Sequence, residues 1–332
     1  MLSDDEQKEI QKTIDDFIVN NGIIPELLVI DKKLKNLNDK LLNWLEPIPA
    51  EDRLYFLHLF KYFQYYDRGK IIAWFEVAYS EFITSIPQCN DTLFVPVCSF
   101  GGVMNGAISL FDCMNEAEVN LSKNKMAAQP RDFYEENDIS SVRNIVLIDD
   151  IVGSGDTLID FIERTQITCP DFLSKKEIYI LPILCLEKGE ENVIEYAREV
   201  GLNIQFLHTG NIEKVFSNSS IFPNPVHGAE AKKKIKKYEE RVAPKPMYTW
   251  GYKRSEALAA FYFNTPNNTL ATFHEKNDSL PWNPVFPRKK NGDELMIKET
   301  SILHEIKKRK EERRKLKSQL SKKAEEEKRN RD

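Results

Sequence analysis

Two adjacent carboxylates are the residues of this sequence that point most directly to chemistry. Asp149 and Asp150 follow an uninterrupted apolar run, residues 145–148. Such a run is typical of a buried strand in a parallel sheet, because both faces of that strand are covered. Open α/β sheets bind their ligands at the carboxyl ends of these strands. The acid pair could therefore bind a diol or a divalent metal ion at the edge of a sheet.

A loop of small residues follows the acid pair and leads into a predicted helix. The apolar spacing of residues 158–162 predicts that helix. The loop itself consists of Gly153, Ser154, Gly155, Asp156 and Thr157. Backbone N–H groups and the helix dipole converge on such a turn, which makes it an arrangement that binds phosphate. The alternative is an ordinary strand–turn–helix with an aspartate near the N-cap.

A second glycine-rich turn lies one crossover earlier in the chain. Residues 93–97 form a short apolar run that predicts a strand. Strand, glycine-rich turn and helix are again an arrangement that binds anions. Glycines that let a helix pack tightly on a strand would give the same pattern. The candidate contacts in this turn are Ser99, Phe100, Gly101 and Gly102.

Strand and helix patterns alternate after the acid pair. Residues 178–184 predict a buried strand, residues 187–201 an amphipathic helix ending at Gly201, and residues 203–207 a further strand. This alternation predicts an α/β fold in which helices flank a parallel sheet.

The first 90 residues predict helices instead. Residue 49 begins a segment rich in aromatic residues, extending to Tyr65 and Tyr66, whose stripe is typical of a helix packed on a core. We expect a helical N-terminal module over residues 1–90, an α/β domain with a C-terminal strap over residues 91–290, and a charged helical tail over residues 291–332.

The charges are divided between an acidic body and a basic tail. Residues 301–332 contain thirteen Lys and Arg and seven Asp and Glu, a balance of +6, whereas the whole chain carries −5. Residues 1–300 therefore carry −11. The tail could bind nucleic acid through its basic side chains, or it could be a solvated helix that frays into disorder.

The cysteines and the hydropathy pattern indicate a cytoplasmic protein. The cysteines are odd in number and none has metal-ligand spacing, which is typical of reduced thiols. They are Cys89, Cys98, Cys113, Cys169 and Cys185. There is no N-terminal signal segment and no apolar run of membrane-spanning length, so we expect a soluble protein without a membrane partner.

The order of strand, acid pair, small-residue loop and helix resembles the phosphoribosyl pyrophosphate (PRPP) signature of the type I phosphoribosyltransferases. The resemblance implies that Asp149 and Asp150 contact the ribose hydroxyls and that residues 153–157 hold the 5′-phosphate. It also implies a Mg²⁺ ion that bridges ribose and pyrophosphate and reaches the acid pair through the substrate. The turn at residues 99–102 would hold the pyrophosphate through its backbone amides. The expected fold is accordingly the type I phosphoribosyltransferase-like sheet.

The same family has a mobile loop that closes over the transition state. In this chain the corresponding region is polar and runs from residue 116 to residue 143. Lys123, Lys125 and Arg131 are the side chains there that could reach the departing pyrophosphate. A solvated connection is the alternative for each of them.

Two loop positions depart from the family pattern. In the hypoxanthine-guanine branch an acidic residue occupies the position of Gly153, so the glycine counts against purine salvage of that kind. Asp156 replaces a residue that is commonly small or basic. Its charge would repel a phosphate unless the side chain points away or caps the helix.

The C-terminal strap, which we define as residues 244–288, carries a further resemblance. The segment TPNNTL at residues 265–270, a later tryptophan and the segment FPR at residues 286–288 look like the corresponding part of phosphoribosyltransferase-like proteins from bacterial conflict and retron systems. Residues 49–83 also resemble their N-terminal region, and the likeness covers about residues 30–290. The strap residues Asn267, Asn268, Trp282 and Arg288 either line the base side of the site or cap the fold.

Two classes of function stay open. One is a Mg²⁺-dependent enzyme that transfers or cleaves a phosphoribosyl group from PRPP or a related nucleotide, as the effector of an anti-phage, retron-type defence system. The other is a non-catalytic PRPP or nucleotide sensor that regulates a protein or nucleic-acid partner. The retron resemblance implies a reverse transcriptase as a partner. Neither class fixes the oligomeric state.

Overall fold

The structure is a computed structural model that describes most of the chain. The described residues are 4–86, 91–98, 106–117, 119, 126–207, 211–277 and 280–289, with residues 308, 311 and 315. The candidates Ser99, Phe100, Gly101, Gly102, Lys123 and Lys125 lie outside the described residues, as does nearly all of the predicted charged tail.

Helices and strands alternate through the central part of the chain. The helices are α1 (Asp4–Asn20), α2 (Leu27–Ile30), α3 (Leu37–Leu45), α4 (Ala50–Lys61), α5 (Arg68–Ser85), α6 (Gly106–Glu116), α7 (Pro130–Glu136), α8 (Asp156–Thr168), α9 (Glu187–Val200), α10 (Pro225–Val242) and α11 (Ala271–His274). The strands are β1 (Gln64–Tyr66), β2 (Thr92–Pro96), β3 (Asn144–Val152), β4 (Glu177–Cys185), β5 (Asn203–Phe206) and β6 (Ala259–Phe261). Among the helices in the described part of the chain, none is both long enough and apolar enough to cross a membrane.

A parallel four-stranded sheet with the order β2-β3-β4-β5 forms the centre of the fold. Side chains of β3 alternate between two cores. Ile145 and Leu147 pack in one core with residues of α8 and α9, and Val146 and Ile148 pack in the other with residues of α5 and α6. Burial on both faces explains the uninterrupted apolar run, and the predicted α/β fold with helices flanking a parallel sheet is confirmed.

The acid pair lies inside β3 rather than after it. β2 ends where Pro96 pairs with Ile148, whereas β3 continues beside β4 as far as the pair Val152 and Cys185. β3 is longer than the apolar run because β4, which is nine residues long, continues to pair with it beyond that run. Asp149 and Asp150 therefore stand where one neighbouring strand has ended and the other continues, which opens space on the β2 side.

The aromatic segment near residue 65 is predicted to be helical, and this prediction is wrong at its end, where the chain enters a second, two-stranded parallel sheet. The helix α4 ends at Lys61, and Tyr65 and Tyr66 belong to β1, which pairs with β6. The Asn21 side chain fixes this turn, since its Oδ1 accepts the Tyr65 N–H at 2.6 Å and its Nδ2 donates to the Phe63 carbonyl at 2.8 Å. The partner strand lies almost 200 positions later in the sequence, so local periodicity could not reveal it.

The N-terminal helices share one hydrophobic core with the C-terminal part of the chain. The aromatic rings at its centre include Trp44, Phe56, Phe273 and Phe286. Tryptophan and phenylalanine each bury a large apolar area, so this core is a major source of stability for both segments. The strap is consequently packed against the N-terminal helices and reaches across them to the edge of the central sheet.

A buried glutamate joins α10 to the strap. Glu239 is fully buried, and its carboxylate accepts the backbone N–H groups of Trp250 at 2.9 Å, Ala271 at 3.1 Å and Thr272 at 2.8 Å. Burial raises the pKa of Glu239, while the three donors favour its ionised form. One side chain thus accepts the free N–H groups in the first turn of α11. It also fixes Trp250, where the strap turns toward the loop.

We expect Glu239→Gln to lower the free energy of unfolding by ~2 kcal/mol, because its amide NH₂ would face a backbone N–H donor in a buried site. Chemical denaturation of the purified full chain would measure the change. Glu240→Gln is the matched control, since Glu240 is the exposed neighbour on the same helix. Equal stabilities for the two variants would contradict the assigned role of Glu239.

Candidate functional site

Two small cavities meet at the carboxyl end of β3. The first, the acid-pair cavity, has a volume of about 180 Å³ and the second, the loop cavity, about 220 Å³. Asp149, Thr157, Asn267 and Asn268 line both of them. The acid pair, the small-residue loop and the strap, whose lining residues extend from Asp149 to Arg288 in the sequence, therefore converge on one place.

The two carboxylates are held close together with little access to water. Asp149 is only 8% exposed. Its Oδ1 accepts the Asp150 N–H at 2.9 Å, and Oδ1 of Asp150 accepts the Ile151 N–H at 2.8 Å. Burial raises the pKa of both carboxyls, and the charge of Asp150 raises that of Asp149 further. Arg288 opposes the rise at Asp150.

The small-residue loop is shaped by close backbone contacts. Gly155 has a φ of +80°, and a Cβ there would lie 2.8 Å from the Gly189 carbonyl oxygen. A Cβ on Gly189 would in turn lie 2.5 Å from the Gly153 carbonyl oxygen. The loop thus rests on the first turn of α9 and directs the N-terminal end of α8, which begins at Asp156, toward the loop cavity. That end of a helix is where anions bind.

The glycine at position 153 has a steric explanation in this fold. A Cβ on Gly153 would lie 1.9 Å from Nδ2 of Asn268, which is buried and donates to the Ser255 hydroxyl at 2.8 Å. The strap amide fills the space that a side chain at position 153 would need. The departure from the acidic residue of the purine branch is therefore linked to the presence of the strap.

The carboxylate of Asp156 has two partners in the strap. Lys253 places its Nζ 2.5 Å from Oδ2 of Asp156, and the Tyr252 hydroxyl donates to the same oxygen at 3.0 Å. Tyr252 and Tyr248 also line the loop cavity. Sequence reasoning missed these three strap residues, and the only local signal was the pair of tyrosines four positions apart.

Three of the four strap candidates line the acid-pair cavity, namely Asn267, Asn268 and Arg288. Arg288 donates from Nη1 to the Thr265 carbonyl at 2.6 Å. Trp282 is the exception, since it lines neither cavity, and its position agrees with the other alternative for the strap residues. Its indole is buried in the core beside Phe56 and donates to the Thr272 carbonyl at 3.0 Å, so it caps the fold.

Arg131 is also placed away from the cavities. It lies in α7 and pairs with Glu135 at 2.8 Å, one turn later on the same helix. Burial raises the pKa of the Cys169 thiol, and the nearby Arg131 guanidinium opposes that rise. Cys169 follows the last residue of α8, a helix of 13 residues that is about 20 Å long. Arg131 thus lies toward the end of α8 that is remote from the loop, and it lines neither cavity.

A buried lysine supports the strap wall from behind. Lys33 is 7% exposed, and its Nζ donates to Oγ1 of Thr265 at 2.9 Å and to the Pro287 carbonyl at 3.0 Å. Thr265 lines the acid-pair cavity, so Lys33 fixes that wall. Burial and, to a smaller extent, the charge of Lys289 lower the pKa of Lys33 to about 7.

The acid pair suits a metal ion that arrives with its ligand. Within the described residues, no cluster of three or more His, Cys, Asp or Glu side chains could hold a metal ion by itself. Mg²⁺ is commonly bound by one or two carboxylates together with substrate phosphates and water. Asp149 and Asp150 fit that requirement, since each has one carboxylate oxygen that accepts a neighbouring N–H and a second oxygen beside it.

Comparison with known proteins identifies one family. A model of the PRTase-CE family matches residues 41–288, a span that contains the acid pair, the small-residue loop and the strap as far as Arg288. No curated protein matches the chain.

We expect the free energy of unfolding to rise with pH between about 7 and about 10 because of Lys33. Its pKa is lowered in the folded protein, so over this range the unfolded chain binds one more proton and folding becomes more favourable as pH rises. The slope is at most ~1.4 kcal/mol per pH unit. Denaturation of the wild type and Lys33→Met at several pH values would measure it. The exposed neighbour variant Lys32→Met is the control, and an unchanged slope in Lys33→Met would contradict the assignment.

A second expectation concerns the contact between loop and strap. Gly153→Ala should destabilise the protein by ~2 kcal/mol, because the added methyl group overlaps the Asn268 amide. Adding Asn268→Ala should recover part of that loss, which gives a coupling energy of about 1 kcal/mol between positions 153 and 268 in a double-mutant cycle. Additive effects would mean that the two residues are not in contact.

Proposed function

We propose, from the premise that this chain belongs to the PRTase-CE family, that its site binds PRPP or a related phosphoribosyl compound with Mg²⁺ and transfers or cleaves the phosphoribosyl group. The chain is phosphoribosyltransferase-like in family and fold. The ligand, the metal and the reaction are the parts that we propose.

The observation that carries the proposal is the convergence of three chemically distinct walls on two adjoining cavities. The acid pair forms one wall, the loop at the N-terminal end of α8 forms another, and the strap residues Asn267, Asn268 and Arg288 form the third. A phosphoribosyl compound presents hydroxyls, a phosphate and a leaving group in one molecule. Carboxylates suit the hydroxyls, and the end of a helix suits the phosphate.

The chemistry required of these residues is mainly positioning. In phosphoribosyl transfer the bond between ribose C1 and the pyrophosphate oxygen breaks, and positive charge develops on the sugar. Asp149 and Asp150 would orient the ring through its hydroxyls, and the loop from Gly153 to Thr157 would anchor the 5′-phosphate. Tyr252 and Asn268 of the strap line the loop cavity and would contact the ligand beside its 5′-phosphate. When bound, Mg²⁺ would supply positive charge to the pyrophosphate as it leaves.

A PRPP sensor without catalysis is the second candidate, and the position of Arg131 favours it. Of the three cations that we assign to a closing loop, Arg131 is the one within the described residues; it pairs with Glu135 on an exposed face of α7 and lines neither cavity. A protein that only binds PRPP needs the acid pair and the loop, but it needs no cation at the leaving group.

We also propose a role in retron-type defence, because the strap and the N-terminal helices resemble those of the phosphoribosyltransferase-like proteins of retron systems. A reverse-transcriptase gene beside this one would support it, and consistent absence of such a gene beside closely similar chains would count against it.

We expect PRPP to bind to the full chain in a calorimeter, with an affinity that depends on Mg²⁺. The double variant Asp149→Asn/Asp150→Asn should weaken binding by about 100-fold, because two hydrogen bonds to charged groups contribute ~1.5 kcal/mol each. The matched control is Asp5→Asn/Asp171→Asn, which removes the same charge from exposed positions. A folded wild type that does not bind PRPP with Mg²⁺ would contradict the proposal.

The same samples separate the enzyme from the sensor. Release of pyrophosphate from PRPP, measured with and without a cell lysate that supplies acceptors, indicates transfer or cleavage. Binding that is lost in the double variant, with PRPP intact under both conditions, indicates a sensor.

A further inference from the structure

The strap contains a short turn with an unusual backbone. In the segment 250–256, which we call the left-handed turn, five residues have positive φ. They are Trp250 at 70°, Gly251 at 74°, Lys253 at 53°, Arg254 at 60° and Glu256 at 52°. Four of them are not glycine, and such residues adopt this conformation only where the surrounding structure imposes it.

Hydrogen bonds at both ends impose the conformation. The Trp250 N–H donates to the buried Glu239, the Tyr252 N–H donates to the Asn267 carbonyl at 2.7 Å, and the Glu256 N–H donates to the Trp250 carbonyl at 2.8 Å. Gly251 packs so closely that a Cβ would lie 2.0 Å from the Asn268 carbonyl oxygen. The turn is therefore held firmly against the part of the strap that lines both cavities.

This geometry places the side chains of Lys253 and Tyr252 at the same carboxylate oxygen of Asp156. Burial and the Asp156 carboxylate raise the pKa of Tyr252, so its hydroxyl stays protonated and donates. The lysine side chain is 49% exposed and that of Asp156 is 32% exposed. An ion pair that accessible contributes little to folding stability. Its main effect is on the local charge of the loop.

Asp156 occupies the first residue of α8, where the bound phosphate of the proposed ligand would lie. A carboxylate at that point repels a phosphate dianion and offsets the attraction of the helix end. The loop has no cationic side chain of its own between Gly153 and Thr157. A cation that offsets the charge of Asp156 must therefore come from elsewhere in the fold.

We propose that Lys253 is a positioning residue that neutralises Asp156 and thereby lets an acidic loop accept the 5′-phosphate of a phosphoribosyl compound. This inference rests on the proposed function and adds a specificity determinant from the strap to it. Lys253 acts on the ligand through Asp156 and does not contact the phosphate itself. The phosphate site then has two parts: the loop supplies backbone N–H donors, and the left-handed turn supplies the positive charge of Lys253.

The test is a double-mutant cycle between Lys253 and Asp156, read as the affinity for Mg²⁺–PRPP and for ribose 5-phosphate. Lys253→Asn removes the charge with a residue that tolerates positive φ. Arg254→Asn is the matched control, since it makes the same change at the next left-handed position. Melting temperatures of all variants identify any that fail to fold, and Lys253→Arg serves as the conservative variant that keeps the charge.

We expect Lys253→Asn to weaken the binding of both ligands by about tenfold, which is the scale of one screened charge interaction. Arg254→Asn should leave both affinities unchanged. Asp156→Asn should bind at least as well as the wild type. The double variant Asp156→Asn/Lys253→Asn should bind about as well as the wild type, because it removes the acid together with the cation that cancels it. Lys253→Arg should keep the wild-type affinity.

Three results would overturn the inference. Wild-type affinity in Lys253→Asn would show that the pair has no effect on the ligand, and a double variant as weak as Lys253→Asn would show direct contact between Lys253 and the phosphate. A wild type that binds neither ligand would remove the proposed function together with this inference. If ribose 5-phosphate binds with the expected cycle while PRPP does not, the role of Lys253 stands and only the choice of PRPP fails.

Discussion

The site depends on how closely the strap approaches the loop after β3. At three places there is no room for a Cβ: Gly153 against the Asn268 side chain, Gly251 against the Asn268 carbonyl, and Gly155 against the Gly189 carbonyl. The two contacts between backbones, at Gly251 and Gly155, fix positions more tightly than side-chain packing does, because the atoms involved cannot change rotamer. The loop, the left-handed turn and the first turn of α9 are therefore held as one unit, and the shape of both cavities follows from that unit.

The charges of the site are balanced by residues from distant segments. Four carboxylates, those of Asp149, Asp150, Asp156 and Asp160, line the cavities, and the strap supplies two cations to them, Arg288 near Asp150 and Lys253 at Asp156. Neither cation removes the cost of burying the acid pair, since the pKa of both carboxyls stays raised. A folded protein that holds like charges together gives up stability for the ability to bind a ligand that brings positive charge or hydroxyl donors. This is the electrostatic reason for expecting a hydroxyl-rich, metal-carrying ligand.

Sequence patterns were sufficient where the structure is set by local rules. The apolar run before Asp149, the loop that opens α8 and the helix ending at Gly201 are all found where periodicity and turn chemistry predict them. Patterns failed where a distant segment decides. Tyr65 is in a strand because β6 pairs with it, and Trp282 is in the core because the N-terminal helices provide its neighbours. Lys253 carries no local signal, since only the folded strap brings it to Asp156.

The shared core explains why the strap can serve as a wall of the site. Residues that reach the cavities, such as Thr265 and Arg288, are attached on their far side to the N-terminal helices: Lys33 binds the Thr265 hydroxyl and the Pro287 carbonyl, and the Trp44 indole donates to the Thr272 carbonyl at 2.8 Å. The central sheet meets the strap through the core that β6 shares with β3 and β4 and through the contact of Asn268 with Gly153. Without the N-terminal helices the strap would lose most of its buried apolar surface and with it the free energy that holds Asn268 and Lys253 in place. The helices that precede the α/β sheet are thus structural parts of the site, although none of their side chains lines either cavity.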